Sequence, residues 1–208
     1  MQVQQAYNVW AAQYDTNQNR TRDLEGEALR TTLASIPFTR CLEVGCGTGK
    51  NTVWLIERAN QLTSVDLSEE MLARAREKVD SPKAEFIQAD IKQDWEFTDR
   101  KYDLVCFSLV LEHIEDLEPV FCETARVLSP GGWAYVGELH PFKQYLGTKA
   151  RFDTPQGQQL VECYNHHISD FVQAAKKYSL QLIDFNEHFD ERGSTAAPRV
   201  LTLLFRKG

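Results

Sequence analysis

Residues 41–49 read Cys-Leu-Glu-Val-Gly-Cys-Gly-Thr-Gly: a short apolar run carrying one acidic residue, then three glycines at alternate positions. Glycine reaches backbone angles closed to other residues and leaves no side chain between backbone and ligand, so Gly45, Gly47 and Gly49 mark a tight, open turn. A helix starting near Thr48 to Asn51 would aim its unpaired N–H groups at whatever lies over that turn. Strand, glycine turn and helix N-terminus together predict a nucleotide-binding crevice in an open α/β sheet.

The spacing narrows the choice of ligand. A dinucleotide fingerprint needs its third glycine three residues after the second, and Lys50 stands there instead. The phosphate-loop pattern fails as well, because no Gly-Lys-Ser/Thr follows a four-residue gap.

The rest of the chain supplies the sheet. Apolar periodicity predicts strands over 40–44, 61–66, 84–88, 102–108 and 133–138, and helices over 3–14, 24–35, 49–59, 69–79 and 117–128. In 69–79, Met71, Ala75 and Val79 share a face, Ser68 can cap the N-terminus, and Glu69 and Glu70 suit the helix dipole. Alternation of this kind predicts parallel strands covered by helices on both faces. The tail changes character: a helix over 169–178 that Ser169 can cap precedes a hairpin-like antiparallel pair, 181–189 and 199–206, with Gly193 and Pro198 between them.

At 208 residues, 42% hydrophobic and 25% charged, the chain has the size and composition of one soluble domain. It lacks a membrane-length apolar run, and its first residues show no basic-then-apolar leader, so a cytoplasmic protein without membrane contact is expected. A net charge of −7 argues against a nucleic-acid partner. The five cysteines (41, 46, 106, 122 and 163) form no Cys-x-x-C and read as free thiols; with no His-x-x-x-His either, no metal is expected.

With Glu43 two residues before Gly45, the run Glu-Val-Gly-Cys-Gly-Thr-Gly resembles the first motif of class I S-adenosylmethionine-dependent methyltransferases. Leu109-Val110-Leu111-Glu112-His113-Ile114, Arg126-Val127-Leu128-Ser129-Pro130-Gly131-Gly132 and Ala12-Gln13-Tyr14-Asp15 resemble segments of the ubiquinone/menaquinone-methyltransferase-like (methyltransferase type 11) branch. By motif the resemblance covers residues 38–138, and it implies a Rossmann-like, seven-stranded, mostly parallel sheet with an antiparallel last strand and helices on both faces. A single domain over 1–208 is expected: a helical lid (1–36), a cofactor core (38–138), an acceptor-site insertion (139–168), then the C-terminal helix and strands (169–208).

The resemblance implies S-adenosyl-L-methionine as methyl donor, with S-adenosyl-L-homocysteine as product. It assigns Gly45, Cys46, Gly47 and Gly49 to the methionine part of the cofactor, and Asp66, with Leu67 and Met71 after it, to the ribose side. Asp90 and Ile91 fall to the adenine, and Ser108 to the neighbourhood of the sulfonium. A carboxylate suits ribose hydroxyls because ionised oxygens only accept hydrogen bonds, although a lone Asp after a strand also serves as a turn former or cap. Tyr14 would close over the methionine end, or else be a core aromatic. Glu43 would reach the cofactor's ammonium through water, or else cap the glycine turn.

The acceptor is less constrained. Methyl transfer requires alignment and exclusion of water, and a base only when the nucleophile must lose a proton. His140, after the fifth strand, and His166 and His167, before the last helix, are the candidate base or acceptor ligands, because histidine titrates near neutrality; each could equally be a satisfied polar residue. His113 reads as structural. Lys143, Lys149 and Arg151 could attract a carboxylate-bearing small molecule or form a solvated lid face. Ser108-Leu109-Val110-Leu111 stands where amino methyltransferases carry Asn-Pro-Pro-Tyr/Phe, which disfavours nucleobase and protein-amide acceptors. The expected activity is methyl transfer to an O or N atom of a small molecule; a tRNA or protein methyltransferase and a non-catalytic cofactor-binding protein are the alternatives. Oligomeric state, monomer or homodimer, is left open.

Overall fold

Period-two alternation builds the sheet, and the strand register builds the site. In the computed structural model, which describes residues 2–154, 157–191 and 196–208, the chain runs α1 (Val3–Trp10), α2 (Arg20–Leu33), β1 (Arg40–Val44), α3 (Thr52–Arg58), β2 (Gln61–Asp66), α4 (Glu69–Lys78), β3 (Ala84–Gln88) and β4 (Tyr102–Ser108). It continues as α5 (Glu118–Val127), β5 (Leu128–Leu139), α6 (Pro141–Tyr145), β6 (Arg151–Thr154), β7 (Gly157–Leu160), α7 (Ile168–Lys177), β8 (Leu180–His188) and β9 (Val200–Lys207). Seven strands form one sheet in the order β3-β2-β1-β4-β5-β9-β8, and β6 and β7 form a separate hairpin. Only β9 runs antiparallel to its neighbours, so the seven-stranded, mostly parallel Rossmann-like sheet with an antiparallel last strand is present. The terminal pair closes one edge of the sheet, with β9 lying between β5 and the edge strand β8. Gly193, read as part of the turn joining that pair, lies outside the described residues.

The alternation divides the core between the two faces of the sheet. Leu42, Val44, Val105 and Phe107 pack with Phe121 of α5 and Phe171 of α7. Their neighbours Cys41, Leu104 and Cys106 pack on the other face with Leu29 and Leu33 of α2 and Leu55 of α3. A third cluster joins α1 to α4 and the hairpin, with Ala6, Trp10, Met71, Phe152 and Val161 buried together and Trp10 stacked on Phe152 at 5.1 Å. The five cysteines are all free. Among the described residues no helix is long and apolar enough to cross a membrane.

Register aligns the carboxyl ends of the strands. Val44 pairs with Val65 of β2 and with Phe107 of β4, so Gly45, Asp66 and Ser108 emerge side by side. Strand order reverses between β1 and β4, the place where open α/β sheets bind ligands.

Local signals acted as their chemistry predicts at α4: the Ser68 hydroxyl accepts from the Met71 amide at 3.2 Å, above Glu69 and Glu70 in the first turn. Several boundaries moved: α2 begins at Arg20 and β5 at Leu128, each earlier than expected, and three helix ends shift as well. The first helix ends at Trp10, and residues 11–16 continue as turn. The helix after the glycines begins at Thr52, three residues past Gly49. In α7 the cap position belongs to His167, whose amide donates to Asp170 Oδ2 at 2.8 Å, so Ser169 lies inside the first turn.

Gly49 is required by packing. Its φ is +80°, and a Cβ there would lie 3.2 Å from both Cα and Cβ of Ala75 on α4. At Gly47 (φ +54°) a Cβ would meet nothing within 4 Å. Gly49→Ala is therefore expected to destabilise the protein by about 2–4 kcal/mol, backbone strain plus overpacking. Gly47→Ala, carrying strain alone, should cost about 1–2 kcal/mol. Urea unfolding of the two variants checks the order.

Candidate functional site

Above the aligned strand ends lies a narrow cavity of about 80 Å³. Gly45 and Gly47 form part of its wall, with Asp66 and Leu67 after β2, Asp90 and Ile91 after β3, and Ser108 at the end of β4. Tyr14 also reaches it, held by Arg22, whose guanidinium stacks 4.5 Å from the ring centroid and donates to the Tyr14 carbonyl. The sequence thus identified eight of these wall residues: Tyr14, Gly45, Gly47, Asp66, Leu67, Asp90, Ile91 and Ser108.

Four others lie elsewhere. Glu43 is buried beneath the turn, where its Oε2 accepts from Thr52 Oγ1 at 2.6 Å and Ser64 Oγ at 2.9 Å; it braces β1 to α3 and β2. Cys46 is buried behind the turn, its thiol facing the Gly47 carbonyl at 3.7 Å. Gly49 packs on α4, and Met71 lies under α1 in the third cluster.

Asp66 ties the site together. Its Oδ2 accepts from the Gly47 amide at 2.8 Å and its Oδ1 from the Ser68 amide at 2.9 Å. Burial raises its pKa, opposed by these backbone bonds. Each oxygen keeps a lone pair for a further donor, so the carboxylate can still receive a vicinal diol. Leu67, Ala89 and Ile91 add an apolar wall suited to a heterocyclic base. These features fit an adenosyl group.

The N-terminal segment closes over this cavity. Val3, Gln4 and Tyr7 of α1 line it; Gln4 Nε2 donates to the Leu67 carbonyl at 3.1 Å, and Ser68 Oγ bonds Asn8 Oδ1 at 2.6 Å. Asp15 accepts from Thr48 Oγ1 and from Lys78, each at 2.7 Å, fastening the following turn to the glycine loop. Tyr7 meets His113 Nε2 at 2.8 Å, while His113 Nδ1 lies 2.7 Å from the Glu162 carbonyl. With both nitrogens engaged, His113 serves as a structural wall residue, and burial lowers its pKa.

A second cavity, of about 340 Å³, adjoins the first and shares Tyr7, Tyr14 and Leu109 with it. Trp10, Glu112 and Leu139 extend its wall, and Arg20, Lys149, Arg151 and Arg199 stand around it. Lys149 and Arg151 thus share one cavity, while Lys143 faces Asp190 at 4.0 Å.

The three candidate histidines do not line either cavity. His140 is only 1% exposed: its Nδ1 accepts from the Phe142 amide at 3.1 Å, capping α6, and its Nε2 lies 2.9 Å from Glu187. Burial lowers its pKa against the pull of Glu187. His166 is buried with Nε2 at 2.8 Å from the Ile114 carbonyl. His167 is exposed, with Nδ1 at 2.6 Å from the Tyr145 hydroxyl. A histidine at a strand end reads as poised over the cleft, but helix capping and main-chain bonds have claimed these rings.

Sequence reasoning missed a set of buried carboxylates beneath the strand ends. Glu25 of α2 accepts from Ser108 Oγ at 2.8 Å, Asn51 Nδ2 at 3.0 Å and Tyr135 OH at 3.1 Å. Glu138 accepts from the amides of Val110 and Leu111 at 2.9 and 2.8 Å, while its other oxygen is buried without a partner. Glu112 likewise holds a buried, unpartnered Oε2. Burial pushes Glu25, Glu43 and Glu112 up to about 7, and Glu138 to about 8, where repulsion from Glu112 adds to it.

Known proteins resemble this arrangement. Residues 42–136 match the model of a methyltransferase domain family. The biotin biosynthesis bifunctional protein BioHC of Cellvibrio japonicus is 29% identical over 191 residues, covering 89% of this chain and 36% of that protein. The ubiquinone biosynthesis O-methyltransferase of Hydrogenovibrio crunogenus is 29% identical over 145 residues, 68% of this chain and 59% of its own. The chain thus spans well under two thirds of either relative. The N-methyltransferase NodS of Bradyrhizobium japonicum, solved with S-adenosyl-L-homocysteine, has the same fold: TM-score 0.74, 20% identity, covering 99% of this chain and 98% of that one.

A carboxyl group whose pKa is raised on folding stabilises most below its unfolded pKa and loses that contribution as pH rises through the folded value. For Glu43, raised to about 7, the loss falls between about pH 4.5 and 7 and is on the order of 3 kcal/mol. Glu43→Gln removes this titration. Thermal midpoints measured from pH 5 to 8 should show the variant gaining on the natural protein as pH rises.

Proposed function

We propose that this chain, whose residues 42–136 match a methyltransferase domain family, transfers a methyl group from S-adenosylmethionine to an O or N atom of a small molecule held in the second cavity. One observation carries this reading: the cavity over the strand ends and the second cavity meet at Tyr7, Tyr14 and Leu109. When bound, S-adenosylmethionine supplies a methyl group already activated by its sulfonium. The protein's part is to hold, orient and exclude water.

Asp66 receives the ribose hydroxyls on its free lone pairs. Asp90 and Ile91 address the adenine. Gly45 and Gly47 let the methionine part lie against the backbone, and Ser108, fixed by Glu25 and Asn51, stands beside the reacting end. Tyr7 and Tyr14 cover the junction. The three histidines take no part in this reading.

Asp66→Ala should weaken binding of S-adenosylhomocysteine about 10- to 100-fold, the worth of hydrogen bonds to a charged group. Gly47→Arg, which pushes a long side chain into the cavity, should abolish it. Isothermal calorimetry on the folded variants measures both, and undiminished binding in the pair would sink the reading. Release of S-adenosylhomocysteine from a panel of hydroxy compounds, acids and amines tests turnover. Tight cofactor binding without turnover on any member would favour a non-catalytic cofactor-binding protein.

A further inference from the structure

The second cavity is polar in an unusual way for this chain. The protein carries a net charge of −7, yet the charged residues lining this cavity are four cations, Arg20, Lys149, Arg151 and Arg199, and a single carboxylate, Glu112. Arg199 is paired with Asp190 and bonds Thr21 Oγ1 at 3.1 Å. Among the described residues Arg20, Lys149 and Arg151 have no ion-pair partner within 4 Å. Arg20 acts at longer range on Asp190, so Lys149 and Arg151 are the charges most available to an anion.

Two wall residues add a second, independent sign. Trp10 is 5% exposed and Glu112 6%, and each holds a buried polar atom without a hydrogen-bond partner, the donor Trp10 Nε1 and the acceptor Glu112 Oε2. Unsatisfied buried polar atoms are rare and destabilising unless a ligand completes them. One donor and one acceptor on the same cavity wall match a hydroxyl group, which accepts and donates at once.

We propose that this cavity is the acceptor site for a hydroxy acid, its carboxylate held by Lys149, Arg151 and Arg20, and its hydroxyl donated to Glu112 and accepted from Trp10. The proposal rests on the methyl-transfer reading above and specifies its acceptor. In the step it describes, the acceptor oxygen bonds to the methyl carbon as the carbon–sulfur bond breaks. That bond's electron pair stays on sulfur as a neutral thioether. The hydroxyl proton passes to the Glu112 carboxylate and then to solvent, and the product is a methyl ether.

Glu112 faces His113 on its own turn, Glu138 of β5, Cys163, and Tyr7 and Tyr14 of the N-terminal segment. Only its ionised form accepts a proton, so kcat/KM should rise with pH along a limb near pH 7.

The test uses the full chain. Phenolic and aliphatic hydroxy acids, each beside its carboxamide, are titrated by calorimetry into the protein saturated with S-adenosylhomocysteine. The acids should bind at least tenfold more tightly than the amides, and Lys149→Glu/Arg151→Glu should erase that preference without changing affinity for S-adenosylhomocysteine. With S-adenosylmethionine, Glu112→Gln should keep hydroxy-acid binding, lower kcat by 10²- to 10⁴-fold and remove the limb near pH 7. Mass analysis should find methyl ether. Equal binding of acids and amides, an unaltered preference after charge reversal, a methyl-ester product, or an unchanged pH limb in Glu112→Gln would each overturn the proposal. All four outcomes leave cofactor binding and methyl transfer to another acceptor intact, so they are distinct from failure of the wider reading, which would appear as lost turnover on every acceptor.

Discussion

The hydrogen bond from the Gly47 amide to Asp66 Oδ2 is the contact on which the site depends. It joins the turn after β1 to the end of β2, and it can form because Gly47 adopts φ +54° with no side chain to accommodate. Once made, it fixes two things at once: the open floor of the turn and the orientation of the carboxylate beside it. Asp15 then hooks onto the same turn through Thr48, so the N-terminal segment inherits its position from the glycine loop. The cavity is therefore held from three sides by bonds that converge on a few residues.

Under this surface the protein has placed carboxylates where water does not reach. Glu43 links β1 to α3 and β2, Glu25 links α2 to the end of β4, and Glu138 gathers the amides that follow β4. Each accepts several hydrogen bonds, which offset part of the penalty of burial, yet burial still raises their pKa values to near or above neutrality. The region is poised to take up protons, and Glu112, with a partnerless oxygen, is the member that opens onto the second cavity.

What could be read from sequence follows the range of the forces involved. Strands, helices and the strand-end residues Asp66, Asp90 and Ser108 are set by local alternation and by register, both visible in a linear pattern. Gly49 was legible as a glycine that must remain one, but its reason, contact with Ala75 on α4, comes from tertiary packing. His140 stood at the correct strand end; its ring orientation was decided by a cap on α6 and by Glu187, 47 residues away. Glu25 gave no signal at all, since an acid within a helical pattern reads as surface until Ser108, 83 residues on, is brought against it. The place of β9 between β5 and β8 was equally hidden, because order within a sheet is not written in any one strand.

The wall shared by the two cavities gathers these constraints at one residue. Leu109, shared by both cavities, sits at φ +55°, a conformation that costs a bulky residue on the order of 1–3 kcal/mol. It persists because its neighbours leave no alternative. The Leu109 amide extends the β4–β5 ladder to the Gly137 carbonyl at 2.8 Å, and the next two amides both donate to Glu138. The chain bends at Leu109 after β4, so that Ser108 lines the first cavity and Glu112 the second. One strained residue thus stands between two side chains, four positions apart in sequence, that line different cavities.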